Sequence, residues 1–159
     1  MGQVTIRAFT DADRPWAERL LGENFGGRLQ VRRGSLIDPL ACPGLVAERD
    51  CELVGIVAYE PDGDDVEVVY IDVTDKHEGI GTRLLDAVGG RTEARRLWLV
   101  TTNDNLDALR FYQRRGFHIA EVRPGAMDEA RKALKPSMAE VGNLGIPIRD
   151  EIVLERMRR

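Results

Sequence analysis

The sequence predicts an α+β fold with α/β/α layers, built on a mixed central sheet of about seven strands. Two observations predict it. Apolar runs joined by tight turns fill residues 45–73, which indicates antiparallel hairpins in the first half. Strand and helix patterns then alternate, and a strand, a crossover helix and another strand predict a parallel pair with a right-handed connection. The 159 residues fit a single domain, 1–159.

The chain begins with an alternating strand at residues 4–8. A helix is expected to start at Asp11–Asp13 with Pro15 in its first turn, and to end at Gly22. The segment from residue 23 to 44 is rich in glycine and carries no clear periodicity beyond one possible short helix.

The remaining elements follow from apolar patterns and turn signals. Asp50-Cys51-Glu52 and the turn at 61–65 separate three strands, whose weak alternation predicts burial on both faces. In order, the predicted elements are strands 45–49, 53–60 and 66–73, helix 80–94, strand 97–101, helix 105–115, strand 117–122, helix 125–135 and strand 149–156.

Composition and charge exclude several classes of protein. The hydrophobic content of 43% is ordinary for a globular protein, and the net charge of −4 argues against nucleic-acid binding, which depends on clustered positive charge. We expect no signal peptide at the start and no membrane span, which would need about 20 consecutive apolar residues. No His/Cys/Asp cluster has metal-ligand spacing. The sequence therefore predicts a cytoplasmic protein without a metal.

Two glycines, Gly79 and Gly81, lie where the strand at 66–73 passes into the helix at 80–94. Glycine adopts positive φ and lets a ligand approach the backbone. The N–H groups of a first helical turn, beside the positive end of the helix dipole, can bind phosphate. A plain tight turn explains the same pattern, so both interpretations stay open. Arg83 is correspondingly either a phosphate ligand or a solvated helix charge.

The helix at 105–115 presents Asn105 and Tyr112, which lie seven residues or about two turns apart and so share one side. Ala108 lies between them and leaves room for a ligand. Phe111 and Leu109 are expected to anchor the helix in the core. By itself, Tyr112 would be interpreted as a packing residue.

Together, these two segments resemble the motifs of the GCN5-related N-acetyltransferases. The first is Lys76-x-x-Gly79-x-Gly81, similar to the family's Arg/Gln-x-x-Gly-x-Gly/Ala, with a lysine at its first position. The second is Asn105-x-x-Ala108-x-x-Phe111-Tyr112-x-x-x-Gly116-Phe117. The resemblance covers about residues 3 to 123, and the predicted order of strands and helices fits the family's fold.

The resemblance implies acetyl-CoA as the acyl donor, in a cleft between the two parallel strands. It implies that the amides of residues 77–82 hold the pyrophosphate, that the backbone of residues 71–73 pairs with the pantetheine arm, and that Asn105 contacts that arm. The expected cofactor-binding residues are Ile71, Asp72, Val73, Lys76, His77, Glu78, Gly79, Ile80, Gly81, Thr82, Arg83, Asn105, Ala108 and Phe111.

The implied reaction is direct attack of a primary amine on the acetyl group. Tyr112 is the expected proton donor to the departing sulfur. Only the free amine attacks, and an alkyl ammonium starts near a pKa of ~10.4, so a base is also needed. Glu67 is the first candidate for this base and Asp72 is the second.

Strand alternation predicts where these carboxylates point. Glu67 is expected on the face of Val69 and Ile71, which places it at the wet end of the strand if that face is the core face. Tyr70 and Asp72 are expected on the opposite face. A backbone N–H of residues 71–73 is the candidate for steadying the thioester oxygen.

The acceptor stays open between a small-molecule amine and a protein amine. Trp16, Phe25, Arg28, Tyr59 and Tyr70 are candidates for its walls, although each aromatic residue can equally belong to the core. A non-catalytic acyl-CoA-binding sensor or regulatory module is the alternative function, but such a module has no use for a proton donor. An exposed strand edge near the end of the chain permits a homodimer.

Overall fold

The computed structural model describes residues 2–25, 27–76 and 78–158, so His77 among the predicted site residues lies outside it. The elements are β1 (Val4–Ala8), α1 (Arg14–Phe25), β2 (Gln30–Arg32), β3 (Ser35–Ile37), β4 (Gly44–Arg49), β5 (Glu52–Asp62), β6 (Asp65–Val73), α2 (Ile80–Thr92), β7 (Arg96–Thr102), α3 (Leu106–Gln113), β8 (His118–Arg123), α4 (Ala126–Ala133) and β9 (Glu151–Met157). The predicted fold class is confirmed: a mixed sheet of seven strands with a parallel pair, flanked by helices.

The chain divides into two compact units, and the first comprises the described residues up to 28 and residues 38–97. Its strands run antiparallel in the order β1-β4-β5-β6. Helix α2 packs closely on this part of the sheet, because a Cβ at Gly55 of β5 would lie 3.0 Å from both Ile80 Cγ2 and Leu84 Cδ1. Ile80 and Leu84 are almost fully buried. This packing fixes the first turns of α2 against the sheet.

The second unit comprises residues 29–37 and 98–157. In it β9 lies between β7 and β8, and β2 pairs with β3 as a separate hairpin. The sequence analysis did not predict this hairpin. Its turn is Arg33-Gly34, and both residues have positive φ (50° and 77°), as the favoured two-residue hairpin turns require. The Arg33 guanidinium lies 4.9 Å from the ring centre of Trp98, and the Arg33 backbone N–H donates to the Glu151 carboxylate, so the hairpin is anchored within this unit.

The bounds of the predicted elements agree with the structure within two residues, except for the first helix and the unassigned segment at 23–44. Helix α1 passes through Gly22 and ends at Phe25. A glycine in a helix interior costs only about 1 kcal/mol, and the burial of Leu20 and Leu21 offsets that cost. No helix in the described parts of the chain is long and apolar enough to cross a membrane.

Asp13 ties the start of α1 to β1, and we expect Asp13→Asn to destabilise the fold. Its carboxylate accepts two 2.8 Å hydrogen bonds from the Arg7 guanidinium and one from the Thr10 N–H, and its side chain is 5% exposed. The expected loss is about 2 kcal/mol of unfolding free energy. Asp11→Asn is the matched control, since the Asp11 side chain is 95% exposed.

The stability difference between wild type and Asp13→Asn should depend on pH, because the pKa of Asp13 is lowered. The largest cause of that lowering is the hydrogen bond from Arg7. A lowered carboxyl pKa contributes stability above its ordinary value of 3.8, and that stability is lost as the pH falls through the lowered value. Thermal unfolding should therefore separate wild type from Asp13→Asn at pH 7 and bring them together in strong acid. Equal melting temperatures at pH 7 would contradict the assignment.

Candidate functional site

The turn between β6 and α2 has the geometry that the sequence predicts for Gly79. Gly79 is the N-cap of α2 with φ 78° and ψ 6°, in the left-handed region that favours glycine, and it supplies no side chain to cap the helix. Its carbonyl accepts the Arg83 N–H at 3.1 Å. The first N–H groups of a helix have no acceptor within the helix. Gly81 lies buried in this first turn. The N-terminus of α2 is therefore able to receive an anion.

Acidic residues flank this turn, and Arg49 of β4 pairs with them. Its guanidinium donates to the carboxylates of Asp75 and Glu78, and the Arg49 side chain is only 15% exposed. The hydrogen bond with Glu78 is the largest cause of its raised pKa. Because Arg49 offsets two negative charges beside the turn, an anion at the start of α2 meets less repulsion. No sequence signal links Arg49 to a turn that lies so far along the chain.

The other predicted residues of this segment differ in exposure. Arg83 and Lys76 are exposed and Thr82 is half-buried, so these side chains lie at the surface. Ile80 is 2% exposed and belongs to the core, which leaves only its backbone for a ligand.

The predicted facing of Glu67 is wrong, because β6 contains a bulge. Paired residues of neighbouring strands share a face, as do alternate residues of one strand. The register shifts between Ala58 and Tyr59 of β5, which leaves Val69 as an extra residue on β6. Asp72 pairs with Ile56, and Tyr70 pairs with Ala58. Beyond the shift, Glu67 pairs with Glu60. Their three partners are alternate residues of β5 and so share one face.

Glu67, Tyr70 and Asp72 therefore lie on one face of the sheet, not on two. Glu67 is also 8% exposed, so its predicted place at the wet end of the strand is wrong as well. The two candidate bases are brought to the same side of β6. Counting alternate residues along the sequence cannot detect the extra residue. Only the pairing of β6 with β5 reveals the bulge.

Asp72 is held by donors from two elements. Its Oδ2 accepts from Asn24 Nδ2 of α1 at 2.7 Å and from the Tyr70 hydroxyl at 3.3 Å, and its Oδ1 accepts from the Val73 N–H at 2.9 Å. Burial is the largest influence on the Asp72 pKa and raises it above the ordinary value, against these hydrogen bonds. The Val73 N–H is engaged by Asp72, and the antiparallel register directs the Asp72 N–H toward Ile56 of β5, so the Ile71 N–H is the candidate left for steadying an oxygen.

The start of α3 is capped by Asn105, and the burial of its side chains differs from what the sequence analysis expected. Asn105 is the N-cap, and its Oδ1 accepts the Ala108 N–H at 3.2 Å, so this oxygen caps the helix. Tyr112, 6% exposed, is the buried residue of α3, whereas Leu109 and Phe111 are half-buried. Tyr112 is therefore more deeply buried than Leu109 and Phe111, the two residues that the sequence analysis expected to anchor the helix.

The surroundings of Tyr112 keep its phenol protonated. Its ring packs edge-on against Phe111 and Phe117, with ring centres 5.1 and 5.4 Å away. Burial raises the pKa of Tyr112 above its ordinary value of 10.0, and the positive charge of Arg32 opposes this shift. Arg32, from the unpredicted hairpin, is held by a 3.0 Å hydrogen bond to the Val100 carbonyl. Tyr112 thus keeps its phenolic proton across the physiological pH range.

The first unit contains a cavity of about 580 Å³ that lies away from the glycine turn. Tyr59, Asp64, Glu93 and Arg95 are among its lining residues. Glu93 ends α2 and Gly79 begins it, so the cavity is at the far end of this helix from the glycine turn. None of the predicted catalytic or cofactor-binding residues that the structure describes lines this cavity, and Tyr59 is therefore not beside the predicted chemistry.

Comparisons with known proteins identify the family. A family profile described as "Acetyltransferase (GNAT) domain" matches residues 42–119. The uncharacterized protein YdhI of Bacillus subtilis (strain 168) is 42% identical over 109 residues, which cover 67% of this chain and 68% of YdhI.

Two solved structures share the fold at 20% identity. They are the IAA acetyltransferase from Bacillus cereus ATCC 14579 (TM-score 0.69, covering 98% of this chain and 100% of that one) and a GNAT family acetyltransferase from Elizabethkingia anophelis with acetyl-CoA bound (TM-score 0.70, 98% of each chain). The resemblance of the two sequence motifs is thereby confirmed, and this chain is an acetyltransferase that belongs to the GNAT family.

Proposed function

We propose that the protein transfers the acetyl group of acetyl-CoA to a primary amine by direct attack. One observation carries this proposal: the glycine-capped N-terminus of α2, where Gly79 takes a left-handed conformation and leaves the first-turn amides without a side-chain cap. Such a helix start suits a doubly charged diphosphate. The acetyl-CoA in the structure from Elizabethkingia anophelis supports the same donor for this chain.

The residues of the first unit fit the nucleotide end of the donor. We propose that the described amides of residues 78–82 hold the diphosphate, while Arg49 offsets the charges of Asp75 and Glu78 beside it. The side chains of Lys76, Thr82 and Arg83 in this segment reach the surface. We assign the pantetheine arm to the backbone of residues 71–73, and to Asn105, Ala108 and Phe111 of α3.

Acetyl-CoA supplies an acetyl thioester, and the protein supplies the proton transfers. Glu67 takes a proton from the acceptor ammonium, with Asp72 on the same face of β6 as the second candidate base. The freed amine forms the new N–C bond as the C–S bond breaks, and the electron pair of that bond leaves on sulfur. Tyr112 gives its phenolic proton to this sulfur, and the second proton that the attacking nitrogen must lose to become an amide returns to the Tyr112 phenolate. The amide of residue 71 donates to the thioester oxygen as charge develops there.

Further predictions on partners and location belong to this proposal. The acceptor is a small-molecule amine or a protein amine. A homodimer would use β8, which pairs with β9 along one edge and exposes Ile119 and Val122. The cytoplasmic location stays a prediction.

Acetyl-CoA binding and turnover test the function directly. At a concentration 100-fold above its Kd, acetyl-CoA should raise the melting temperature by about 5–10 °C, because ligand bound only to the folded state adds about 2.7 kcal/mol. A panel of primary amines should then release free CoA. No thermal shift at millimolar acetyl-CoA would refute the proposal. A shift without CoA release from any amine would favour the non-catalytic acyl-CoA-binding module.

A further inference from the structure

The end of α1 meets β6 at a carboxylate whose hydrogen-bond donors are neutral. Asp72 accepts from the Asn24 amide, the Tyr70 hydroxyl and the Val73 peptide N–H, at 2.7, 3.3 and 2.9 Å. Lys76 acts on Asp72 only as the weakest of the influences that lower its pKa. Within the described residues, then, Asp72 is a partly buried acid that is bonded to neutral partners.

Such a carboxylate favours a cation from outside the chain. Burial, the largest influence, raises the pKa of Asp72, which means that its charged form is poorly solvated. An ionised carboxylate offers about four lone-pair sites, and three donors occupy three of them. An ammonium group can donate a hydrogen bond to the remaining lone-pair site. Its positive charge would also compensate the negative charge of the partly buried carboxylate.

An aromatic surface lies beside this carboxylate. Phe25 is 37% exposed, and its ring packs edge-on against Tyr70 with ring centres 5.1 Å apart. Tyr70 in turn donates to Asp72, so the apolar ring and the charge belong to one cluster. The ligand that matches this cluster carries its positive charge on an apolar body.

The same face of β6 also excludes one kind of amine. Glu67 and Asp72 share that face. A ligand with a carboxylate next to its amino group would bring a second negative charge beside Asp72, and like charges at close range repel.

We propose that Asn24, Phe25, Tyr70 and Asp72 form the acceptor site, and that its substrates are primary amines on an apolar body with no carboxylate beside the amine. The Asp72 carboxylate contacts the ammonium and Phe25 contacts the adjoining carbons. Asn24 and Tyr70 position Asp72. This assignment rests on the proposed function and names the substrate class of that site, which excludes free α-amino acids.

Three probes that share one body test the assignment: phenethylamine, phenylalanine amide and phenylalanine. Titration calorimetry measures the binding of each to the full chain, and CoA release measures its use. Phenethylamine and phenylalanine amide should bind at least tenfold more tightly than phenylalanine, with kcat/KM at least tenfold higher. Asp72→Asn should weaken phenethylamine binding at least tenfold. The exposed Asp64→Asn is the matched control and should change neither measurement.

The outcomes separate this inference from the function on which it rests. Preference for phenylalanine, failure of both carboxylate-free probes, or full phenethylamine binding by Asp72→Asn each overturns the acceptor site. A thermal shift with acetyl-CoA in the same preparation would then leave the acetyltransferase proposal standing. Absence of that shift would refute the function itself. Calorimetry measures amine binding without turnover, so the acceptor site is tested even if no CoA is released.

Discussion

Replacing Tyr112 by Phe is expected to lower kcat by about 10²-fold, and by at least tenfold, while acetyl-CoA still raises the melting temperature as it does in wild type. The proposed phenolic proton is lost, and general-acid assistance is typically worth ~10²–10⁴-fold. The substituted ring keeps its packing against Phe111 and Phe117, so the fold should persist. The measurement is steady-state CoA release together with thermal unfolding.

Tyr59→Phe is the control for this substitution, because Tyr59 lines the cavity at the far end of α2 and has no assigned role. Its kcat should equal that of wild type. Since burial raises the pKa of Tyr112 above 10.0, loss of its proton should not limit the rate of the wild-type enzyme below that pH. An unchanged kcat in Tyr112→Phe would remove this residue from the acid role.

A glutamate at Gly81 is expected to abolish the acetyl-CoA thermal shift. It would place bulk and a negative charge in the first turn of α2, where the amides are proposed to hold the diphosphate. Binding should weaken at least 100-fold, as measured by titration of acetyl-CoA against the melting temperature.

Two companion variants guard this test against a simple loss of stability. Gly90→Glu adds the same side chain to the same helix at an exposed position with nothing within 4 Å of its Cβ, and should bind normally. Thr82→Glu places the charge in the same turn at a half-buried position, and should lose binding without filling the core. Normal binding by Gly81→Glu or Thr82→Glu would place the diphosphate elsewhere.

Much of the fold follows from local patterns in the sequence. The apolar period along α2 and the β-branched run of β6 predicted both elements, and the positive φ of Gly79 followed from the need for a tight turn between them. These features depend on residues within a few positions of one another, and so does the Asn105 cap of α3, although its capping bond was not anticipated. The hairpin of β2 and β3 was missed because its strands are three residues long, too short for a periodic signal.

By itself, the sequence determined the family, the fold class, the glycine turn and the helix that carries Tyr112, because short-range periodicity and two spaced motifs specify them. Only the tertiary structure decided which acids share a face of the sheet. The bulge at Val69 turns Glu67 onto the face of Tyr70 and Asp72, and Asn24 reaches Asp72 from 48 positions away. Register and long-range contacts arise from pairing between distant segments, and no pattern along the chain contains that information.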